Sequence, residues 1–245
     1  MKTTGSLATV LFGCGFAFVP WPANGQAANE MKEVTLAAPN HVAVRVRTQA
    51  PYDAETPLQV VCYFKHKAAG DTTLEAAVDL DRKLGGVIAS LRNRGEFVGD
   101  ELETVLLSPP EGTIKPKLLL LVGLGDEASL SLDTMKGVGR AAVREAARLG
   151  VTRVAFAPLI RDQGSSRFAA GDVADAVVQG MLLGYDTEKR LQKEGLAKAF
   201  TLEEWVQEAG PKYFEDTVPG VRKAVKEATS AIEARTSNPY ATRER

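Results

Sequence analysis

The residue types that most often carry catalysis are sparse in this 245-residue chain and do not form a recognisable pattern. The chain has two histidines, His41 and His66, and neither stands in the HExxH or HxH spacing that holds a metal ion. Cys62 lies in an apolar run without a histidine placed to activate a thiol, and neither a GxSxG turn nor a GxxxxGK[ST] loop occurs. The sequence therefore predicts no catalytic residue, no metal ligand and no cofactor.

One loop has the position and composition of a ligand site. Gly123, Gly125 and Asp126 directly follow an apolar run at 118–122. Ligands often bind at the carboxyl end of a parallel strand, where backbone N–H groups and the start of a helix are exposed. We expect these three residues to form the lip of a small-ligand site. A glycine pair after a strand also makes an ordinary tight turn, and the spacing alone leaves both interpretations open.

The elements that position this loop form a strand, helix, strand unit. The run at 118–122 has no polar face, which favours a strand that is covered on both sides. Apolar residues at three- and four-residue steps predict a helix over 132–149, and a second strand is predicted at 152–157. The two strands should be parallel, since a crossover through a helix joins them.

Other segments add layers to this unit. We predict strands at 41–48, 58–64 and 102–108, one long helix at 73–94, a largely buried helix at 169–185, and a short strand or turn at 200–206. Gly85 and Gly86 fall inside the first helix, where glycine is unfavourable. We expect another backbone to pass close to them.

The first 40 residues are predicted to lie outside the fold. A positive start, an apolar run at 7–19 and small residues before position 28 are typical of a signal peptide at residues 1–27. A membrane anchor is the alternative, although the run is short for a bilayer. Cleavage would give a periplasmic or secreted protein that does not bind the membrane. Residues 28–40 are polar and mixed, and we expect a flexible segment there.

Nucleic acid is not an expected partner. The net charge is −1, and a stripe of Arg140, Arg144 and Arg148 is interrupted by Glu145 and has no interleaved aromatic residues. This pattern is typical of a solvated helix face.

The compact domain is predicted at residues 41–215, and residues 216–245 form an amphipathic helix with a polar tail. Val218, Val221, Val225 and Ile232 lie on one narrow stripe of a highly charged helix. Such a stripe needs a surface to cover it. We therefore expect a protein partner or a second copy of this chain to bind through these four residues.

Several motifs occur together in an order that resembles one family. They are Leu80-Asp81 with Leu84-Gly85-Gly86, GEFVG at 95–99, LLLVGLG at 119–125, GRAA at 139–142, GMLLGY at 180–185 and FTLE at 200–203. In this order they resemble the amino-terminal domain of the cytosol-type leucine aminopeptidases. The resemblance implies an α/β fold, a three-layer α/β/α sandwich like that of macro domains, with a mixed, mostly parallel central sheet. It also implies that the carboxyl-terminal amphipathic helix corresponds to the connector that leads to the peptidase domain.

The chain departs from that family in its chemistry. The resemblance implies metal ligands and catalytic residues in a peptidase domain with a signature similar to NTDAEGR, and that signature does not occur here. We therefore expect a non-catalytic exported domain that acts in protein association or regulation. Two alternatives stay open: a domain that binds a nucleotide or an ADP-ribose-like compound, and a subunit or remnant of a metallo-aminopeptidase.

Overall fold

A computed structural model describes residues 1–2 and 31–235 of the chain. The predicted signal peptide at 1–27 lies almost entirely outside the described residues, as does the polar tail from residue 236. The chain divides into two units, Met1–Glu30 and Met31–Arg245, and the second contains every helix and strand given below. Within the described residues, no helix combines the length and the apolar composition that a membrane span requires.

Within residues 31–235, the second unit contains seven strands and five α-helices. The strands are β1 Glu33–Ala37, β2 Ala43–Thr48, β3 Leu58–Tyr63, β4 Thr104–Leu107, β5 Leu118–Gly123, β6 Arg153–Ala157 and β7 Glu204–Ala209. The helices are α1 Glu75–Lys83, α2 Val87–Asn93, α3 Leu132–Leu149, α4 Ala170–Lys193 and α5 Phe214–Glu233. The predicted strand, helix, strand unit is thus β5, α3 and β6.

All seven strands form one sheet in the order β1-β2-β7-β6-β3-β5-β4. The five inner strands are mutually parallel, and each edge strand, β1 or β4, pairs antiparallel with its neighbour. Strands β5 and β6 are parallel, as predicted, and β3 lies between them. The mixed, mostly parallel sheet expected from the sequence is confirmed.

Helices cover both faces of the sheet and complete three layers. The larger hydrophobic core lies between the sheet and α3, α4 and α5, and a smaller one lies on the opposite face beneath α1 and α2. Helices α3 and α4 pack with very close backbones. A Cβ atom at Gly180 would lie 2.1 Å from the carbonyl oxygen of Lys136, and one at Gly139 would lie 2.1 Å from that of Val177.

The single helix predicted at 73–94 is wrong, because two short helices occupy this segment. Gly85 and Gly86 separate α1 from α2, and both have positive φ angles, of 69° and 80°. Glycine adopts this left-handed conformation without the steric cost that a Cβ imposes. The close backbone expected at these glycines is also absent, since a Cβ at either one would meet nothing within 4 Å.

The flexible segment expected at 28–40 is also corrected. Residues 33–37 form β1, which pairs antiparallel with β2. Val34 and Leu36 alternate with polar residues and pack against the main core, so this short stretch has the pattern of a half-buried edge strand. The fold therefore begins before residue 41.

Strand β7 is longer and more central than the sequence indicated. It runs from Glu204 to Ala209 instead of ending near 206, and it pairs with β2 on one side and β6 on the other. Its side chains from Trp205 onward are buried. Polar residues at 207 and 208 obscured this burial in the sequence.

Helix α5 packs within its own chain, which changes the meaning of its apolar stripe. Val221 is fully buried, and Val218 and Val225 pack against the main core that α4 and the sheet also build. Ile232 is half-buried near the end of the helix. The stripe is thus not a free surface, and our expectation of a partner bound through it is corrected. The helix begins at Phe214 and belongs to the compact domain.

Candidate functional site

Three loops meet at the carboxyl ends of β5, β3 and β6, which are neighbours in the sheet. They enclose an open cleft of about 580 Å³. The cleft is lined by Lys67 from the β3–α1 loop, by Asp126, Glu127 and Ala128 from the β5–α3 loop, and by Gly164, Ser165, Ser166 and Arg167 from the β6–α4 loop. This is the edge of a parallel sheet at which ligands most often bind.

The β5–α3 loop contains the predicted lip, but its glycines have a packing role. A Cβ atom at Gly123 would lie 1.9 Å from the carbonyl oxygen of Asp100, so only glycine fits there. Gly125 has a φ of 71°, and its N–H donates a 2.9 Å hydrogen bond to the carbonyl of Gly99. Neither glycine lines the cleft, whereas Asp126 does. The structure therefore places one of the three predicted lip residues at the cleft.

The β6–α4 loop is fixed by a buried glutamine. The amide nitrogen of Gln163 donates to the carbonyl oxygens of Cys62, at 2.9 Å, and Leu159, at 3.0 Å. Its amide oxygen accepts a 2.8 Å hydrogen bond from the N–H of Phe64. Gln163 is 6% exposed, so these bonds tie the end of β3 to the loop after β6 away from solvent.

An arginine holds the remainder of the same loop. The Arg161 guanidinium donates to the carbonyl oxygens of Phe168, at 2.6 Å, and Ser165, at 3.3 Å. Gly164 lies between them with a φ of 82°, a conformation that favours glycine. The backbone that carries Ser165, Ser166 and Arg167 is therefore held in place without a ligand.

A histidine, an aspartate and an arginine hold the β3–α1 loop. Asp71 accepts hydrogen bonds from Nε of the buried Arg92, at 2.6 Å, from Nδ1 of His66, at 2.9 Å, and from the backbone N–H of Lys67, at 3.1 Å. Partial burial opposes ionisation, but the bonds from Arg92 and His66 outweigh it and lower the pKa of Asp71 to about 2. Because Asp71 is ionised, Nδ1 of His66 carries the proton of their hydrogen bond. Lys67 is thus placed at the cleft by a fixed loop.

Two cations cross the cleft to the β5–α3 loop. Lys67 Nζ lies 3.0 Å from Glu127 Oε2, and Arg167 Nη1 donates a 2.7 Å hydrogen bond to the carbonyl oxygen of Ala128. The Arg167 guanidinium also lies over the ring of Phe168, 5.7 Å from its centroid. These contacts link the three loops and leave the cleft open between them.

Sequence reasoning missed most residues of this cleft. Lys67 and Arg167 lie in polar loops that carry no motif of their own. The available signal was topological: Arg167 follows the strand predicted at 152–157, which should be parallel to the strand before Asp126, so its loop should emerge at the same edge. For Lys67, the only signal was the mostly parallel sheet that the family resemblance implies.

The histidines and the cysteine do not form a catalytic group. His66 lies next to a cleft residue but bonds to Asp71, whereas His41 lies in the turn before β2 with a φ of 63°. Cys62 is fully buried, and burial raises the pKa of its thiol. Among the described residues, no group of three or more His, Cys, Asp or Glu could hold a metal ion.

A buried acid lies elsewhere, between the sheet and the loop that follows β2. Gln59 on β3 donates a 2.8 Å hydrogen bond to Oε2 of Glu208 on β7. Glu208 is 5% exposed and its Oε1 has no hydrogen-bond partner among the described residues. Burial raises the pKa of Glu208 to about 8, although the bond from Gln59 and the charge of Arg47 oppose this. The carboxyl is therefore largely protonated at neutral pH.

The fold and the cleft define a class of protein: a three-layer α/β/α domain like macro domains, with a ligand-accessible edge. Comparison with solved structures supports this class. A macrodomain mutant from Oceanobacillus iheyensis superposes with a TM-score of 0.55 at 10% identity, over 82% of this chain and 98% of the other. A leucine aminopeptidase mutant from tomato superposes with a TM-score of 0.56 at 19% identity, over 78% of this chain and 36% of the other.

Sequence comparison shows the family. The sequence model of the family described as "Cytosol aminopeptidase family, N-terminal domain" matches residues 60–194, which are more than half of the chain. The chain belongs to this family, and the resemblance drawn from its motifs is confirmed.

Curated relatives agree with this assignment. A probable cytosol aminopeptidase from Stenotrophomonas maltophilia is 35% identical over 140 residues, which are 57% of this chain and 26% of the relative. One from Persephonella marina is 32% identical over 119 residues, which are 47% of this chain and 23% of the relative. The similarity thus spans about a quarter of the length of these relatives.

Proposed function

We propose that this chain is a non-catalytic domain that binds a small ligand in the cleft at the carboxyl ends of β5, β3 and β6. One observation supports this most strongly: loops from three neighbouring parallel strands enclose a cleft of about 580 Å³ that carries charged groups of both signs. Ligand sites in proteins commonly have volumes of roughly 300–1,000 Å³.

The rigidity of the three loops supports the proposal. Gln163 and Asp71 each hold one loop through several hydrogen bonds, and Gly123 fits the third loop closely against the backbone at residue 100. A site that is ordered before binding loses less conformational entropy when the ligand arrives. Such bonds are also what a binding site needs to place its polar groups reproducibly.

The non-catalytic part of the proposal concerns the matched domain. The relatives are named probable cytosol aminopeptidases, but the similarity covers only about a quarter of their length. Their aminopeptidase activity is therefore not assigned to this chain. Hydrolysis by metal ions needs several ligands that converge on the ions. Within residues 31–235, the side chains of Glu208 and Cys62 are each buried at separate positions, so these two groups do not form such a set of ligands.

A thermal-shift screen of the purified full-length chain tests ligand binding. We expect a compound that binds the cleft to raise the melting temperature in a concentration-dependent way, because it binds only the folded state. The screen should include inorganic phosphate, ADP-ribose, amino acids and short peptides. A screen in which no compound raises the melting temperature would contradict the proposal.

A leucyl chromogenic substrate tests the absence of catalysis. We expect the purified chain to give no turnover above the rate of metal ion alone in the presence of Zn²⁺ or Mn²⁺. Turnover that is proportional to protein concentration would instead favour the alternative that the chain is a working subunit of a metallo-aminopeptidase.

Protein association or regulation is a second candidate function, and the outer face of α1 favours it. Leu74, the extended residue just before α1, is 48% exposed, and Val78 in the first turns of α1 is 42% exposed. The N–H of Leu74 donates a 2.7 Å hydrogen bond to the carbonyl of Asp162, so this face is joined to the β6–α4 loop of the cleft. A partner on α1 would therefore contact an element that holds the cleft.

Light scattering tests this second candidate. If the chain associates with itself through α1, the full-length protein has a mass above 26.2 kDa, and Val78→Asp reduces it. The matched control is Val87→Asp, an apolar residue of similar exposure at the start of α2. Equal masses for all three proteins would count against association through α1.

We also propose that residues 1–27 direct export, which would make the protein periplasmic or secreted. The support is the sequence pattern of a positive start, an apolar run and small residues before position 28. Mass spectrometry of the expressed protein should find a mature amino terminus at Ala28. A protein that retains Met1 in the cytoplasm would contradict export.

A further inference from the structure

We propose that the ligand of the cleft is a small dipolar molecule that carries both an ammonium and a carboxylate, such as an amino acid or a dipeptide. This inference rests on the proposed function, because it assigns a chemical class to the same cleft. It follows from the way in which charges are distributed over the three loops.

The two signs of charge come from different walls. The acids Asp126 and Glu127 both belong to the β5–α3 loop, whereas the cations Lys67 and Arg167 belong to the loops after β3 and β6. The lining therefore carries two positive and two negative groups that are segregated by loop. A ligand whose own charges are separated complements both walls at once.

The acidic wall has a carboxylate that can accept an ammonium. Asp126 is exposed, and its side chain makes no hydrogen bond or ion pair among residues 31–235. Lys65, whose pKa is raised by its hydrogen bond to Asp100 and by the charge of Asp126, forms its own ion pair with Asp100 at 2.8 Å. Glu127 differs, since Lys67 already lies 3.0 Å from it. Asp126 is thus the group that a ligand ammonium would meet without displacing a protein cation.

The basic wall has donors that can bind a carboxylate. Nη1 of Arg167 donates a hydrogen bond to the carbonyl oxygen of Ala128. In the described part of the chain, the other guanidinium nitrogens of Arg167 make no hydrogen bond. Arginine binds carboxylates through two parallel N–H donors. Ser166 lies beside it on the same loop, is exposed, and offers a hydroxyl donor. A ligand carboxylate can therefore be bound while Arg167 keeps its contact to the backbone.

The same charges disfavour a purely anionic ligand. A diphosphate group would gain from Lys67 and Arg167, but it would also face the carboxylates of Asp126 and Glu127 across the same cleft. Like charges that are brought together at a binding surface cost binding free energy. The cleft is thus suited to a ligand of zero net charge, and less suited to ADP-ribose or to inorganic phosphate.

Calorimetric titration of the full-length chain tests the inference with three forms of one compound. The probe is L-alanyl-L-alanine, and its N-acetyl and C-terminal amide derivatives each lack one of the two charges. Loss of a charge-assisted hydrogen bond reduces affinity by about tenfold or more. We expect the free dipeptide to bind and each blocked form to bind at least about tenfold more weakly.

Two variants assign the charges to their walls. Asp126→Asn should weaken the binding of the free dipeptide but leave the binding of the amino-blocked form unchanged. Arg167→Gln should weaken the binding of the free dipeptide but leave the binding of the carboxyl-blocked form unchanged. The matched control is Arg144→Gln, which removes an exposed arginine from α3, away from the cleft. Its affinity for the dipeptide should equal that of the unchanged chain.

The outcomes separate this inference from the proposed function. If the free and blocked dipeptides bind equally, or if only ADP-ribose or phosphate binds, the dipolar assignment fails and the cleft remains a ligand site. If none of these compounds binds and the thermal-shift screen is also negative, both proposals fail. Tenfold selectivity for the free dipeptide that is lost in both variants supports the inference.

Discussion

The side-chain amide of Gln59 donates a 2.8 Å hydrogen bond to Oε2 of Glu208, so that β3 and β7 are joined across the strand between them. This contact is made over β6, which carries alanine at positions 155 and 157 on this face. Ala54, from the loop after β2, packs against the same face and excludes water. A titratable group that does not line the cleft is thereby enclosed in the fold.

The enclosure of Glu208 predicts that stability falls as pH rises. Its pKa is about 8 in the folded protein and near 4.5 when exposed, so between these values the folded state binds more protons than the unfolded state. The free energy of unfolding should therefore decrease from about pH 5 to pH 8, with a slope that approaches 1.4 kcal/mol per pH unit from this group. Urea unfolding at several pH values measures it.

Glu208→Gln is the matching variant, because glutamine keeps the shape and stays neutral. It should flatten the decline in stability between pH 5 and pH 8. Glu203→Gln, which changes an exposed acid just before the same strand, should leave the decline as it is. A decline that persists in the Glu208 variant would show that other groups cause it.

Asp71 predicts the opposite dependence at acidic pH. Its pKa is lowered to about 2, and it therefore contributes stability that is fully present above pH 4 and is lost as pH falls toward 2. Asp71→Ala should cost about 3 kcal/mol at neutral pH, because it leaves the 4%-exposed side chain of Arg92 without its ionic partner. Chemical denaturation at pH 7 checks the value. Removal of the exposed Arg94–Glu96 pair by Glu96→Gln should not change the midpoint.

The contact between α3 and α4 predicts a strong effect of a single methyl group. A Cβ at position 180 would lie 2.1 Å from the carbonyl oxygen of Lys136, so Gly180→Ala should force the helices apart and destabilise the fold by about 3 kcal/mol or more. Gly137→Ala is the control on α3, because its Cβ meets only the side chain of Leu102 at an ordinary 3.4 Å. Alanine favours helix at that position, so the control should match or exceed the parent in stability. Equal melting temperatures for the two variants would contradict this account of the packing.

The hydrogen bonds of Gln163 predict that its removal lowers both the stability of the fold and the order of the β6–α4 loop at the cleft. Gln163→Ala removes three hydrogen bonds and leaves the buried N–H of Phe64 without its acceptor, which should cost about 1–3 kcal/mol. The substitution Gln163→Ala should increase the rate of amide hydrogen exchange more in residues 160–168 than in α4. Exchange that is unchanged in this loop would show that other contacts suffice to hold it.

The fold was more predictable from the sequence than the site. Apolar periodicity located α3 and β5 accurately, because each has a continuous apolar face in an amphipathic or buried pattern. Periodicity failed where the backbone departs from regular geometry. Gly85 and Gly86 interrupt the pattern of one helix with left-handed conformations, and the spacing of the flanking apolar residues does not reveal them.

The partners of buried polar groups were not predictable in this way. Gln207 and Glu208 made β7 resemble a surface segment, although a contact from Gln59, 149 residues away, allows Glu208 to be buried. The stripe on α5 was found correctly, but its covering surface was assigned to a partner. Sequence spacing shows that Val221 needs a contact and does not show which element supplies it.

The most direct test of the central claim is a map of where a ligand binds. Backbone amide spectra of the full-length chain should be recorded during titration with L-alanyl-L-alanine, or with the strongest compound of the thermal-shift screen. We predict that the largest chemical-shift changes fall in residues 64–71, 124–131 and 160–168, which form the three loops of the cleft. Changes confined to other surfaces, or no saturable change with any compound, would contradict the account.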